Sequence, residues 1–338
     1  MMKAAVLREI GGPQQVRIEE ASTPVLKPDE LLIRIKFAAL NRRDVWITHG
    51  LYPGMQLPAI LGSDGAGEIV AIGEQVTDLQ IGDAVIINPA LNWGDNPHFN
   101  GPDFSILGMP QNGTFAQYVA VSHKQVYPKP NHLTWEEAAA LPLAGLTAYR
   151  ALVTRGQIQK NETVFIPGIG SGVALFALQM AVTLGAKVFV SSSSDEKLEK
   201  AIKLGATGGV NYRSENWAKE LKKQMGGADL IIDCVGGDTF NQLLNLAKPG
   251  GRIVNFGATT GPVPKLLLPK LFFKHLDIRG TTMGSPQDFA GMLELITNHQ
   301  IHPVLDRSFL LEEIQEALFH MEKGNHFGKI TVKIPEEK

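Results

Sequence analysis

The sequence has little cysteine, no excess of charge of either sign and no long apolar run. A single cysteine among 338 residues excludes a disulfide within the chain, which is typical of a reducing compartment. The 32 basic and 34 acidic residues give a net charge of −2, so electrostatics favour neither nucleic acid nor an anionic membrane surface as a partner. No apolar run reaches the roughly 18 residues of a membrane span, and no leader pattern opens the chain. We therefore expect a cytoplasmic protein without nucleic-acid or membrane partners.

The pattern of apolar and turn residues predicts an α/β protein with a β-rich N-terminal part and a central part of alternating strands and helices. Residues 1 to 125 contain short strands separated by turn residues and no helical period, which predicts a β-rich domain. From 126 to 270, strands and helices alternate, which is typical of a doubly wound parallel sheet. Residues 271 to 338 are predicted to form a strand at Leu276–Thr281, two helices and a final strand at Lys329–Ile334. The pattern alone does not assign this last segment to either domain.

The clearest motif lies between residues 163 and 192. An apolar strand at Thr163–Ile166 ends in a turn, and apolar residues from Val173 onward then recur at helical spacing until Gly185. A second buried strand at Lys187–Val190 follows at once, which requires a parallel crossover. The turn carries three glycines at alternate positions: Gly168, Gly170 and Gly172.

A turn of this kind suits a dinucleotide. Glycines let the backbone approach a pyrophosphate, and the free N–H groups and dipole at the start of the helix hold its charge. A plain tight turn is the alternative, but the flanking strand, helix and second strand favour the dinucleotide interpretation. We expect the three glycines, with Ser171 and Val173 between and after them, to bind the cofactor.

The end of the second strand predicts which cofactor binds. An acid about 20 residues after the glycines would accept the ribose hydroxyls of NAD, and the chain has four serines at 191–194 instead. Hydroxyls there, together with Lys197, suit the additional phosphate of NADP(H), so we expect Ser192 and Lys197 to contact it. The structural alternative is that Ser193 and Glu196 form a capping box and that Lys197 is only solvated.

Seven stretches together resemble the medium-chain dehydrogenase/reductase superfamily, and the resemblance covers essentially the whole chain. They are AALNRRDVWITHGLYP (38–53), LPAILGSDGAGEIVAIG (57–73), QIGDAVIINP (80–89), NGTFAQYVAV (112–121), LPLAGLTAYRAL (141–152), the glycine turn and FGKITVKI (327–334). The resemblance implies a GroES-like catalytic domain in 1–125, an inserted Rossmann domain in 126–270 and a return to the catalytic domain in 271–338. It also implies that a small-molecule substrate binds in a cleft.

The chain departs from the zinc enzymes of that superfamily. Their catalytic zinc is held by Cys, His, Glu and Cys, and the matching positions are Asn41, Ser63 and Asp64, with no cysteine in LPLAGLTAY. Zinc requires thiolate or imidazole ligands, and this set has neither. The position of the proton-relay hydroxyl is Arg43, which cannot relay a proton.

The stretch 88–119 resembles the structural zinc lobe of the superfamily without its ligands. The four cysteine positions are Trp93, Asn96, Phe99 and Gly101. The only cysteine, Cys234, lies in the apolar run LIIDCVGG and is predicted to be a small buried residue. The comparison therefore implies that no metal binds and that there is no zinc at either site.

The zinc-free branch that the chain resembles comprises NADPH quinone oxidoreductases and alkenal or enoyl reductases. It shares a Gly-x-Asp pattern at 62–64 and an Asn-x-x-Asp pattern at Asn41 and Asp44. The resemblance assigns Asn41 to the acceptor oxygen or the nicotinamide, Asp44 to orienting it, and Trp46 and Tyr52 to the pocket wall. The alternatives are a backbone hydrogen bond for Asn41, a turn for Asp44 and core packing for the two aromatic residues.

The same resemblance extends the cofactor site. It places Thr147 near the nicotinamide, Tyr212 with Lys197 at the 2′-phosphate, and Gly257 along the cofactor cleft. Tyr212 is alternatively a surface aromatic residue after a strand.

These observations predict a zinc-independent, NADPH-dependent oxidoreductase that transfers hydride to a quinone or an α,β-unsaturated carbonyl compound. An alcohol or aldehyde dehydrogenase working without zinc and a non-catalytic NADPH-binding protein are the alternatives. Because the superfamily pairs the edge strand that corresponds to Leu276–Thr281, we expect a homodimer, with a homotetramer as the alternative.

Overall fold

A computed structural model describes residues 1–336; the last two residues of the predicted segment 271–338 lie outside the described part. The strands are β1 Met2–Leu7, β2 Val16–Ala21, β3 Glu30–Ala39, β4 Ala59–Ile60, β5 Asp64–Ile72, β6 Ala84–Ile87, β7 Ala90–Leu91, β8 Ser105–Ile106, β9 Tyr118–Ser122, β10 Val126–Pro128, β11 Thr163–Ile166, β12 Lys187–Ser192, β13 Gly208–Asn211, β14 Ala228–Asp233, β15 Ala247–Asn255, β16 Asp277–Gly280, β17 Leu305–Leu310 and β18 Lys329–Lys333. The α-helices are α1 Arg42–Thr48, α2 Trp135–Ala140, α3 Pro142–Tyr149, α4 Gly172–Thr183, α5 Asp195–Lys203, α6 Trp217–Met225, α7 Phe240–Leu246, α8 Leu268–Phe273, α9 Pro286–Asn298 and α10 Ile314–Lys323.

The chain divides into two compact units. The first comprises residues 1–144, 284–293 and the chain from 302 onward, and the second comprises 145–283 and 294–301. Within residues 1–336, no helix combines the length and the hydropathy that crossing a membrane requires.

The first unit is built on a mainly antiparallel sheet. Its strand order is β10-β6-β5-β3-β18-β17, and β9 also pairs with β3. Alternate residues of β3, including Leu31, Ile33 and Ile35, point into the core, which is why the period-two pattern of the sequence predicts a half-buried strand. The C-terminal strand β18 pairs antiparallel with β3, with Thr331 opposite Ala39. The last segment of the chain thus completes the sheet that the first segment begins.

One helix of this unit lies within residues 1–125, where the sequence shows no helical period. Helix α1 spans seven residues, about two turns, which is too short to display a helical period. Its start is fixed locally, because the Asp44 carboxylate accepts the backbone N–H of Asn41 at 2.7 Å. Val45 and Ile47 anchor the helix in the core of the first unit.

The second unit contains the predicted parallel sheet. All its strand pairs are parallel, in the order β13-β12-β11-β14-β15-β16. The central strands are buried along their whole length, as Thr163–Ile166 shows, which is typical of a parallel sheet covered by helices on both faces. The prediction of a β-rich domain with a doubly wound parallel-sheet domain is confirmed. Strand β16 forms one edge of this sheet.

Candidate active site

A buried polar cluster joins the starts of α1, β5 and β18 in the first unit. The Lys329 ammonium donates to three oxygens at 2.8 Å each: the Leu40 carbonyl, Asn41 Oδ1 and Asp64 Oδ2. Asn41 Nδ2 in turn donates to Asp64 Oδ2 at 2.9 Å. The side chains of Asn41, Asp64 and Lys329 are all buried. The three polar side chains therefore form a ring of hydrogen bonds, in which each binds the other two.

Further hydrogen bonds satisfy the charges of this cluster. Asp64 Oδ1 accepts the backbone N–H of Leu143 at 2.8 Å, so both carboxylate oxygens have donors. Thr114 Oγ1 donates to the Asp64 carbonyl at 2.7 Å and fixes the backbone there. An ammonium has three protons to donate, and Lys329 uses all three. A buried ion pair is tolerated when its remaining donors and acceptors are satisfied in this way.

The cluster does not fit a zinc ion. Asn41 and Asp64, at two positions that match zinc ligands, are bound to the Lys329 ammonium. Ser63 Oγ, at the third, accepts from Arg43 Nη1 at 2.7 Å. Over residues 1–336, no group of three or more His, Cys, Asp or Glu side chains is arranged to hold a metal ion. An amide, a hydroxyl and one carboxylate already paired with a cation lack the thiolate or imidazole that zinc prefers.

Asp44 is the second buried carboxyl group of this region. Its Oδ2 accepts the Asn41 N–H, whereas Oδ1 has no hydrogen-bond partner in the described chain. Burial raises the pKa of Asp44 to about 6, and the neighbouring charge of Arg43 acts in the opposite direction. Asp44 thus contacts Asn41 through the backbone, while the Asn41 side chain turns toward Asp64.

The two aromatic residues predicted for the pocket wall are both half-buried. The Tyr52 ring centroid lies 4.6 Å from Cζ of Arg43, in the arrangement of a cation–π contact. Tyr52 also packs against the core of the first unit. Trp46 lies on α1, the helix that carries Arg43. Tyr52 therefore contacts Arg43, whose Nη1 binds Ser63, the residue before Asp64.

No local pattern in the sequence points to Lys329. It lies 265 positions from its partner Asp64, so no local pattern connects the two residues. The only available signal was its place at the start of the buried strand Lys329–Lys333, because a lysine directed into a core requires an acceptor.

The lobe at residues 88–119 is held by an aromatic residue at one of the cysteine positions. Trp93 is buried, and its indole N–H donates to the Asn96 carbonyl at 3.0 Å. The Trp93 carbonyl accepts the N–H of Gly101 at 2.7 Å. Its ring also meets Phe104 edge to face, with centroids 5.5 Å apart. Trp93 therefore connects Asn96 and Gly101, so that three of the four positions matching the zinc-ligand cysteines of the superfamily are joined. Phe99, at the fourth position, is exposed.

In the second unit, the glycine turn has the backbone conformation that a close approach to a ligand needs. Gly168 and Gly170 have φ values of 68° and 137°, which favour glycine. A Cβ atom at Gly168 would lie 3.2 Å from the Val235 side chain. Helix α4 then begins at Gly172, and Ser171 caps it by accepting from the Ala174 N–H at 3.3 Å. With Val173 in its first turn, this helix start fits a pyrophosphate.

The serines at the end of β12 and just after it make hydrogen bonds within the protein. Ser192 is buried, and its Oγ accepts the N–H of Ser194 at 3.2 Å. The Ser192 carbonyl accepts the N–H of Tyr212 at 2.9 Å, which brings the end of β13 beside it. The Tyr212 side chain is exposed. Ser192 and Tyr212, both predicted for the cofactor, are therefore neighbours.

The suggested capping box of Ser193 with Glu196 is wrong. Helix α5 begins one residue later than that pattern requires, and Ser194 caps it by accepting the Lys197 N–H at 3.3 Å. Glu196 instead pairs with Lys200 at 2.7 Å. The start of α5 therefore places Lys197 in its first turn.

The remaining predicted cofactor residues lie apart from the glycine turn in sequence. Thr147 is buried, with Oγ1 3.9 Å from Met283 Sδ. Gly257 follows β15, and its carbonyl accepts from Asn255 Nδ2 at 2.8 Å. Cys234 is half-buried rather than buried, because β14 ends before it and the side chain lies in the following loop.

Comparisons with known proteins match both units. Residues 27–131 match the family described as "Alcohol dehydrogenase GroES-like domain", and residues 172–298 match "Zinc-binding dehydrogenase". A "Zinc-type alcohol dehydrogenase-like protein YogA" of Leptosphaeria maculans is 37% identical over 94% of each chain. A crystal structure of an NAD-dependent alcohol dehydrogenase superposes with a TM-score of 0.94 at 35% identity, covering 99% of this chain and 100% of that one.

Two further relatives reduce other substrates according to their names. An acryloyl-coenzyme A reductase of Sulfurisphaera tokodaii is 32% identical over 98% of this chain and 100% of its own length. A quinone oxidoreductase of Pseudomonas aeruginosa is 29% identical over 94% of this chain and 92% of its own. The similarity therefore extends over more than nine-tenths of the length of proteins with different named activities.

Proposed function

Because the chain belongs to the medium-chain dehydrogenase/reductase superfamily, we propose that it is a zinc-independent, NADPH-dependent oxidoreductase acting on quinones or α,β-unsaturated carbonyl compounds. The observation that carries this proposal is the Lys329 ammonium, which binds Asn41 and Asp64 where a metal ion would need them as ligands. The names of the acryloyl-coenzyme A reductase and the quinone oxidoreductase agree with such substrates.

The choice of substrate depends on the charge that must be stabilised. Without a Lewis acid, a simple ketone or an alcohol lacks the main electrostatic assistance for hydride transfer. A conjugated acceptor spreads the arriving charge over its π system and needs only oriented hydrogen bonds. The reduced nicotinamide, when bound, supplies the hydride.

Asn41 is proposed to supply one of these hydrogen bonds. Its Oδ1 accepts from Lys329, which fixes the orientation of the amide, and one of its two Nδ2 protons goes to Asp64. The second Nδ2 proton is then directed as a donor to the acceptor oxygen or to the nicotinamide amide. Asp44 holds the backbone of Asn41 at the start of α1 and so orients it. Trp46 and Tyr52 are proposed to line the substrate pocket.

The cofactor is proposed to bind along the second unit. The turn at Gly168, Gly170, Ser171, Gly172 and Val173 would hold the pyrophosphate at the start of α4. Thr147 would lie near the nicotinamide, and Gly257 would line the cleft. The 2′-phosphate would contact Ser192, Lys197 and Tyr212.

The preference for NADPH rests on the residues at the end of β12. Strand β12 ends in serines, where an acidic side chain would repel a phosphate. Asp195, the first acid after them, is held by Asn211 Nδ2 at 2.9 Å. Because a similar structure is named as NAD-dependent, the two cofactors require direct comparison.

The test is turnover in the presence of a metal chelator. We expect oxidation of NADPH with benzoquinone or crotonaldehyde as acceptor, unchanged by the chelator, and tighter binding of NADPH than of NADH. Purified protein should contain no stoichiometric zinc. Stoichiometric zinc, or loss of turnover when zinc is removed, would contradict the proposal.

Two alternative functions have distinct outcomes in the same assays. Chelator-resistant oxidation of a primary alcohol, without reduction of either acceptor, would favour a zinc-free alcohol dehydrogenase, the activity class that two of the relatives are named for. Tight NADPH binding without any turnover would favour a non-catalytic binding protein.

We also propose a homodimer that forms by pairing of β16 across a two-fold axis, with a homotetramer as the alternative. Strand β16 lies at the sheet edge, and its Ile278 is exposed. The preceding helix α8 exposes Phe272 and Phe273, the latter to 78%, an apolar surface that suits a contact between copies. Light scattering should give a dimer mass for the native protein and a monomer mass for an Ile278→Asp, Phe273→Asp double variant.

A further inference from the structure

Arg43 is a buried arginine that the protein anchors through one nitrogen. Its side chain is only 6% exposed. Nη1 donates to Ser63 Oγ at 2.7 Å and to the Leu107 carbonyl at 2.9 Å. Arg43 Cζ lies over the ring of Tyr52, 4.6 Å from the ring centroid. These contacts fix the plane of the guanidinium group.

The opposite edge of the same guanidinium group has no partner. Nε and Nη2 are both buried, and neither makes a hydrogen bond to any atom of residues 1–336. These two nitrogens form the edge that binds two-oxygen groups side-on. Arg8 uses this edge for Glu19, with distances of 2.9 Å from Nε to Oε1 and 2.6 Å from Nη2 to Oε2. In Arg43 the equivalent donors are unused.

A structural role does not account for this edge. The Arg43 charge lies close enough to the Asp44 carboxyl group to act on it, but the two groups share no hydrogen bond. Buried N–H donors are nearly always hydrogen-bonded. The contacts of Nη1 explain how the side chain is held, but they leave two donors of a buried charge unsatisfied. A polar ligand that brings an oxygen acceptor to Nε and Nη2 would satisfy them.

Arg43 also borders the candidate active site. It lies between Asn41 and Asp44 on α1, and its partner Ser63 precedes Asp64, which binds Asn41 and Lys329. The guanidinium group is thus a fixed positive charge beside the residues that are proposed to meet the acceptor.

We propose that the Nε–Nη2 edge of Arg43 binds the carbonyl oxygen of the acceptor and stabilises the negative charge that this oxygen gains on reduction. This inference rests on the proposed function and names the group that replaces a metal as the electrophile. The half-buried Tyr52, whose ring Arg43 Cζ lies over, would then line the pocket beside the group that binds the acceptor.

The reaction that Arg43 would assist is balanced in atoms and electrons for an enal. A bound reduced nicotinamide would supply a hydride for a new C–H bond at the β-carbon. The carbon–carbon π pair would then form the bond between the α-carbon and the carbonyl carbon, and the carbonyl π pair would move to the oxygen. The carbonyl oxygen takes the negative charge and is held by Arg43. Water would then give a proton to the α-carbon and leave as hydroxide, so that the acceptor gains the two electrons that the hydride carries.

The test compares Arg43→Met and Arg43→Lys with the matched control Arg8→Met, whose side chain lies on the surface. Removing one preorganised donor group of this kind lowers turnover by about 100-fold or more. We expect that loss in kcat/KM of Arg43→Met for benzoquinone and crotonaldehyde, an unchanged Kd for NADPH, and partial activity in Arg43→Lys. Added guanidinium chloride at low concentration should restore part of the activity of Arg43→Met only. Arg8→Met should match the native protein.

Two results would overturn the proposal. One is native kcat/KM in Arg43→Met. The other is a loss that accompanies a lowered melting temperature and that neither guanidinium nor Arg43→Lys restores, since this would mark a purely structural contact.

If the native protein reduces neither acceptor, the proposed function fails while the Arg43 site remains testable with benzoate as a probe. Calorimetric binding of benzoate that is lost in Arg43→Met but kept in Arg8→Met would support the site, and its absence in the native protein would refute it.

Discussion

Lys329 and Asp64 form a buried ion pair across 265 positions of sequence, with Nζ 2.8 Å from Oδ2. The Asp64 side chain is fully buried, and that of Lys329 is 4% exposed. Their pairing ties the last strand of the chain to the start of β5, and it fixes the Asn41 amide between them. The same contact therefore contributes to folding and to the geometry of the candidate site.

Replacing Lys329 by methionine should destabilise the protein strongly. The change leaves the Asp64 charge buried without its cation, which costs about 3–5 kcal/mol in comparable pairs. Urea unfolding should show this loss in Lys329→Met, and the double variant with Asp64→Asn should recover part of it. Lys3→Met, at an exposed pair with Glu312, should change the free energy of unfolding by less than about 0.5 kcal/mol. A double variant no more stable than Lys329→Met would argue against an uncompensated charge as the cause.

The sequence predicted the features that local chemistry determines. The glycine turn, its two strands and its helix lie within some thirty residues and follow from turn residues and hydrophobic spacing. The sequence does not decide where α5 begins, because adjacent serines at 193 and 194 both suit a cap, and only the folded backbone selects Ser194.

Contacts between distant segments could not be predicted in that way. The resemblance predicts that Asn41 and Asp44 serve the active site, yet the partner that orients the Asn41 amide, Lys329, comes from the other end of the chain. The empty edge of Arg43 likewise depends on where Ser63 and Leu107 lie in the fold. Such relationships require strand pairing such as that of β3 with β18, whose register no local pattern specifies.

The stability of the protein should depend on pH through Asp44. Burial raises its pKa from 3.8 to about 6, so the folded state holds the proton more tightly than the unfolded state does. Below about pH 4 the group is protonated in both states and carries no penalty. As the pH rises through about 6, the cost of ionising it in the folded state develops to about 3 kcal/mol.

The variant Asp44→Asn keeps an oxygen for the Asn41 N–H and cannot ionise, which makes it the matched comparison. Relative to this variant, the native protein should lose stability between about pH 4 and pH 7, and chemical unfolding at the two pH values measures the difference. A constant difference between the two proteins over that range would show that Asp44 does not titrate there.

The lobe at 88–119 should depend on Trp93 and not on a metal. Trp93→Ala removes a buried aromatic ring together with its hydrogen bond to Asn96, and such truncations cost about 3–5 kcal/mol. Protease cleavage within the lobe should accelerate in this variant. Phe99→Ala, at a side chain that is 64% exposed, should leave cleavage unchanged, and so should a chelator. Faster cleavage of the native lobe after chelation would instead indicate that a metal holds it.

The cofactor preference should respond to Lys197 and not to its neighbour on the same helix. Lys197 lies in the first turn of α5, after the serine hydroxyls, whereas Lys200 lies one turn further and pairs with Glu196. If Lys197 contacts the 2′-phosphate, Lys197→Ala loses a charge-assisted hydrogen bond that NADH never makes. The Kd for NADPH should then rise about 10-fold, equivalent to about 1.4 kcal/mol, with the Kd for NADH unchanged. Lys200→Ala should alter neither constant.

Equal weakening of NADPH and NADH binding in Lys197→Ala would place the lysine at a part of the molecule that the two cofactors share. Tighter binding of NADH than of NADPH by the native protein would refute the NADPH preference itself.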